Sequence, residues 1–134
     1  MFTLDDYRAG NTLTKQEEEN ANKLIVKCTA LEKYMISHGV KFLINPKTKT
    51  IISGNGAGGY RWPKCTVGAE HSAHRECLAV DIFDPDNEID AFLASHPMAL
   101  YEYQIYIEHP DFTKSWSHWS IRVPPSGKHI FIPK

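Results

Sequence analysis

The run Leu78-Ala79-Val80-Asp81-Ile82-Phe83 limits the possible folds of this chain more than any other stretch. It reads as a strand, in which successive side chains point to opposite faces. Leu78, Val80 and Ile82 then form an aliphatic face that calls for a helix packed on it. Ala79, Asp81 and Phe83 form the other face, where a carboxylate stands beside a small alanine and leaves room above the sheet. A carboxylate in an apolar strand needs a partner. His74 precedes the strand and can fold back over the Asp81 face, so an imidazole and an acid converge there.

The rest of the chain supplies neighbours for such a strand. Thr14-Lys15-Gln16-Glu17 is a capping box, and Ala21, Leu24, Ile25, Cys28, Leu31 and Met35 follow at helical spacing. Gly39 stops that helix, which is expected over about 15 to 38. Residues 40–44 and 48–53 read as short strands around Asn45-Pro46-Lys47. The glycine-rich stretch 53–59 lacks phosphate-loop spacing and reads as a loop. Asp84-Pro85-Asp86 ends the central strand and starts a helix that Pro97 terminates. Strands are expected over 103–107, 116–123 and 130–132. The mixture, without βαβ alternation, predicts one α+β domain over residues 1–134, with a mainly antiparallel sheet and helices on one side.

Several classes are disfavoured. The 134 residues carry a net charge of −1, which gives no basic excess for a nucleic-acid backbone. No apolar run is long enough for membrane insertion. The opening Met1-Phe2-Thr3-Leu4-Asp5-Asp6 has no apolar signal core, so no secretory peptide is expected. Three cysteines, Cys28, Cys65 and Cys77, are too few and too odd for a disulfide scaffold.

A second histidine completes the chemistry. In Trp116-Ser117-His118-Trp119-Ser120, His118 shares a strand face with Trp116 and Ser120. If this strand lies near the one carrying Asp81, His74, Asp81 and His118 form two imidazoles and a carboxylate around an open position, the donor set of a catalytic zinc site with one ion. Such an ion acidifies water and polarises a carbonyl, and a general base is still required.

Gly59-Tyr60-Arg61, then Ser72-x-His74 and Ala79-x-Asp81, then Trp116-x-His118, resemble the zinc D-alanyl-D-alanine carboxypeptidase family, which includes phage L-alanyl-D-glutamate endopeptidases. The similarity extends loosely from Phe2 over most of the chain. The resemblance implies a hedgehog/DD-peptidase-like fold and a peptidase acting on the peptidoglycan stem peptide. It implies His74, Asp81 and His118 as metal ligands, Arg61 as the binder of a substrate carboxylate or carbonyl, and Ser72 on the substrate side. Trp116 is the better tryptophan for lining the cleft. An endolysin-like monomer made in the cytoplasm of an infected bacterium and acting in the cell wall fits this picture.

Two positions depart from the family pattern. Many members have an acid three residues before the last histidine, where this chain has Ser115. Some compact phage members instead place a glutamate at the end of the preceding strand, which Glu108 matches; by alternation it shares a face with Gln104 and Tyr106. Asp111 is the fallback. Cys77 stands where glycine is usual, which adds strain if the site needs positive φ and can bring a thiol near the metal. Two other readings compete: a structural zinc site from Cys65, His71, His74 and Cys77, whose spacings are not those of common zinc fingers, and a degenerate member that binds wall peptide or a virion partner without cutting. His71, His96, His109 and His129 read as solvent-facing, with His71 near enough to the site to assist binding.

Overall fold

A computed structural model of the chain describes residues 2–62, 65 and 72–133. The order of elements is α1 (Leu4–Arg8), α2 (Lys15–Ser37), β1 (Ala79–Phe83), α3 (Glu88–Ser95), α4 (Pro97–Tyr103), β2 (Tyr106–Glu108), β3 (Trp116–Ser120) and β4 (Ile130–Phe131). The class is α+β.

The long helix α2 starts where its capping box requires. The Thr14 hydroxyl accepts from the Glu17 amide at 3.1 Å, and the Glu17 carboxylate accepts from the Thr14 amide at 2.8 Å. Its apolar stripe, Ala21, Leu24, Cys28, Leu31 and Met35, is buried. These side chains share one core with Val80, Ile82, Ile107 and Trp119 from the sheet, and with Ile89, Leu93 and Leu100 from α3 and α4. Fully burying a leucine or isoleucine of this kind stabilises the fold by roughly 1.5–3 kcal/mol. The core thus covers one face of the sheet and leaves the Asp81 face outside it.

The sheet order is β1-β3-β2-β4. β1 pairs antiparallel with β3, and β3 with β2, but β4 lies parallel to β2. The sheet is therefore mixed rather than mainly antiparallel. The reason lies in the stretch after β3, where Pro124 and Pro125 cannot donate to a ladder and Gly127 turns at φ 71. The chain swings past β3 and reaches the far edge of β2 running in the same direction.

Several expected boundaries move. Residues 40–53 form no strand; only isolated bridges, Asn45 with Thr50 and Ile52 with Ile82, remain. Side chains compete with the ladder here: Asn45 Nδ2 donates to the carbonyls of Ile52 and Gly54, and the Thr48 hydroxyl donates to Ile52. Lys49 at φ 59 breaks the extended run. Pro97 ends α3 and also opens α4, where a missing N–H is harmless. That second helix runs to Tyr103, and Gln104 caps it at φ 57, so the following strand begins only at Tyr106. Gln104 is therefore off the strand and shares no face with Glu108. β3 stops at Ser120, three residues before its expected end.

Candidate metal centre

The strand pairing sets the centre. In the β1–β3 register Asp81 lies directly opposite His118, and paired residues of adjacent strands present their side chains on the same face. His74 arrives from a single 3-10 turn, Ala73–Glu76, whose N-cap Ser72 accepts from the His74 amide at 3.3 Å. Cys77 closes that turn at φ 60, ψ 34, so the chain folds back as the sequence requires. His74 Nε2 comes to 3.2 Å from Asp81 Oδ1, and His118 Nδ1 comes to 2.9 Å from the same oxygen. One ligand atom from each residue lies within 4.8 Å of the others. His74 is 1% exposed, and Asp81 and His118 are each 8% exposed.

The proton arrangement suits a cation. His74 Nδ1 lies 2.8 Å from the Gly59 carbonyl, which can only accept, so this nitrogen carries the hydrogen. Burial lowers the His74 pKa below its ordinary value and outweighs the opposing charge of Asp81, which favours the neutral ring. The Nε2 lone pair of a neutral His74 then faces a carboxylate oxygen at 3.2 Å with no hydrogen between them. A divalent cation between these two acceptors relieves the contact. A histidine anchored through its second nitrogen to a backbone carbonyl is also the usual way a metal ligand is oriented. Burial alone raises Asp81, but the two imidazoles beside it, His74 and His118, outweigh it and hold the carboxyl far below the usual range. His118 is lowered by burial and raised more strongly by its bond to Asp81, with the charges of Asp81 and Glu108 adding to the rise.

Arg61 serves this chain first. Its Nε donates to the Ala57 carbonyl at 2.9 Å, one terminal nitrogen lies 3.4 Å from Ser72 Oγ, and the other donates to Asp81 Oδ2 at 3.1 Å. The guanidinium thus holds the outer oxygen of Asp81 while Oδ1 faces the imidazoles. The resemblance implies that Arg61 binds a substrate carboxylate or carbonyl; in the structure it also holds Asp81, a contact that only the strand-to-loop packing reveals.

A cleft of about 600 Å³ opens over the three donors. Arg61, Ser72, Glu108 and Trp116 all line it. β2 and β3 pair Tyr106 with Ser120 and Ile107 with Trp119, and the same register carried one step further brings Glu108 opposite His118. Asp111 lies on the turn Pro110–Phe112 with its side chain 84% exposed and does not line the cleft. Cys77 has the positive φ anticipated for it, but its thiol sits in the core against Tyr7. Burial pushes that thiol up to about 12, and it is not among the three donors. The structural-zinc alternative includes His71, which lies outside the described residues; His74, which it also needs, turns both nitrogens elsewhere. His96 and His109 reach solvent, but His129 is half-buried, stacked on Tyr106 at 4.1 Å and bonded to the Ile105 carbonyl. The far end of the cleft was not anticipated: Arg122, Pro124, Pro125, Phe131 and Ile132 line it. Arg122 had a legible signal, since it continues the alternation Trp116, His118, Ser120.

Another buried acid lies against β3. Asp90 is 1% exposed, its Oδ2 accepts from the Thr113 hydroxyl at 2.6 Å, and its Oδ1 has no partner. Burial pushes its carboxyl up to about 6, with help from the charges of Asp84 and Glu108, against the nearby hydroxyls of Ser117 and Thr113. An acid raised in the folded state binds more protons folded than unfolded between about pH 4 and pH 6. Its contribution to stability is therefore lost as pH rises through that window. Asp90→Asn, which keeps an oxygen for Thr113, is expected to gain stability relative to the parent as pH goes from 4 to 7. Urea midpoints of both proteins at the two pH values test this; a constant difference would contradict the raised carboxyl.

No protein-family model, no curated protein and no solved structure matches this chain. Among the described residues no helix is long and apolar enough to cross a membrane. The class defined so far is an α+β protein with a buried His-Asp-His group that can hold a metal ion.

Proposed function

We propose that this protein is a zinc-dependent peptidase of peptidoglycan, related to the D-alanyl-D-alanine carboxypeptidases and L-alanyl-D-glutamate endopeptidases, hydrolysing a bond of the stem peptide in the manner of an endolysin. The observation that carries the reading is the convergence of His74, Asp81 and His118 at the floor of a cleft that Glu108 also lines. Two imidazole nitrogens, each neutral when it binds the ion, and one carboxylate match zinc better than calcium or magnesium, which favour oxygen donors.

Zinc held by these three residues would polarise the scissile carbonyl and acidify water. The chain's own groups do the remaining work. Arg61 fixes the outer oxygen of Asp81, and the Gly59 carbonyl fixes the His74 ring. A Glu108 carboxylate oxygen takes a proton from the attacking water as the water oxygen bonds to the carbonyl carbon. Glu108 then returns that proton to the departing nitrogen as the carbon–nitrogen bond breaks. Trp116 and the proline-rich wall narrow the cleft and exclude bulk water.

Purified cell-wall peptidoglycan incubated with the protein is expected to release new amino termini, and chelation is expected to stop the release until zinc is restored. Binding to the wall without new termini at any metal concentration would favour the non-cutting member of the family instead.

A further inference from the structure

The cleft has two arginines, and they are placed very differently. Arg61 is 11% exposed in its side chain and tied to Ala57, Ser72 and Asp81. Moving it onto a ligand would release the outer oxygen of Asp81. Arg122 stands at the other end, 40% exposed, with one nitrogen 3.0 Å from Glu76, whose side chain is 54% exposed. An ion pair so open to water holds its partners weakly, so one carboxylate can readily replace another.

We propose that Arg122 anchors a carboxylate of the ligand, which takes the place of Glu76. This rests on the cleft's binding a peptide and adds which peptide it prefers. Arg122 follows Trp116, His118 and Ser120 at alternate positions, and all four line the cleft. The Ile121 amide still donates to the Leu78 carbonyl at 2.8 Å, so the backbone pairing continues one residue past β3. The chain bends at residues 121–122, where the Ser120 hydroxyl accepts from the Arg122 amide at 3.0 Å, and Arg122 lines the cleft just beyond the end of β3. An anion held by Arg122 lies along the same cleft as a carbonyl seated over the His-Asp-His group. Pro124, Pro125 and Phe131 form an apolar wall along that end, and it takes the peptide's aliphatic portion. The favoured ligand is an acidic peptide with its carboxylate at the Arg122 end of the cleft.

Glu76 is then an internal competitor. Its side chain is 54% exposed, whereas His74 on the same turn is buried and held by the Gly59 carbonyl. The test measures calorimetric affinity of the zinc-loaded full chain for acetyl-Ala-Ala-Glu-amide and for the peptide with Gln in place of Glu, while chromatography follows cleavage. The parent protein is expected to bind the acidic peptide about tenfold more tightly, the value for a charge-assisted contact. In Arg122→Gln the preference should fall to about twofold or less, and in Glu76→Gln it should widen by about threefold. The opposite signs of the two variants separate an exchanged carboxylate from general damage to the fold. A preference that survives in Arg122→Gln, or a parent protein that does not favour the acidic peptide, overturns the proposal. Preference without cleavage supports the anchor and counts against the peptidase; cleavage without preference does the reverse.

Discussion

Asp81→Asn is expected to abolish stoichiometric zinc binding. The parent protein, given free zinc at roughly 1,000 times its dissociation constant, should gain about 4 kcal/mol of stability, and the variant should gain almost none. The effect is large because one oxygen of Asp81 lies within 3.2 Å of both imidazoles. An amide of the same shape carries no charge to offset the cation. The same change leaves the Arg61 guanidinium, 11% exposed, without its acid, so metal-free stability should fall as well. His118→Gln separates the two effects, since it removes a donor and keeps the Asp81–Arg61 pair. Both variants should lose the zinc-induced rise in thermal midpoint. A full zinc response in either would show that the ion sits elsewhere.

Glu108→Gln carries the second large effect. It is expected to lower kcat by about 10²–10⁴, the range for loss of a general base, while zinc affinity stays within about twofold. Asp111→Asn should keep full activity, because its side chain is 84% exposed on the turn beyond β2 and does not line the cleft. Single-turnover cleavage with zinc held saturating reads both variants. Full activity in Glu108→Gln with loss in Asp111→Asn would move the proton transfer to the loop.

These expectations draw unequally on what the sequence disclosed. Asp81 was legible because strand alternation sets it on the face opposite Val80 and Ile82, and the structure keeps those two in the core while Asp81 lines the cleft. His118 was legible as a candidate only; its place opposite Asp81 depends on which strands pair, and spacing alone does not set that. Glu108 needed the β2–β3 register as well. The helix α2 announced both its ends through local chemistry, the Thr14–Glu17 box and Gly39. Segment 40–53 misled because its β-branched residues suit a strand, whereas the Asn45 and Thr48 side chains bond the backbone of their own loop. Those bonds form only once the loop has closed. β4 gave no sign of its direction, since two residues pair equally well either way until the preceding loop places them. The Arg61–Asp81 pair had no sequence signal, since it depends on how the loop carrying Arg61 packs on β1. The unpartnered Asp90 oxygen had no sequence signal, because Thr113 and Ser117 lie more than twenty positions away.

Crystals of the protein soaked in zinc and measured at the zinc absorption edge test the central claim most directly. A single strong anomalous peak is expected at about 2.0–2.2 Å from His74 Nε2, an Asp81 carboxylate oxygen and a ring nitrogen of His118. No peak there under saturating zinc, or a peak held by other residues, would contradict it.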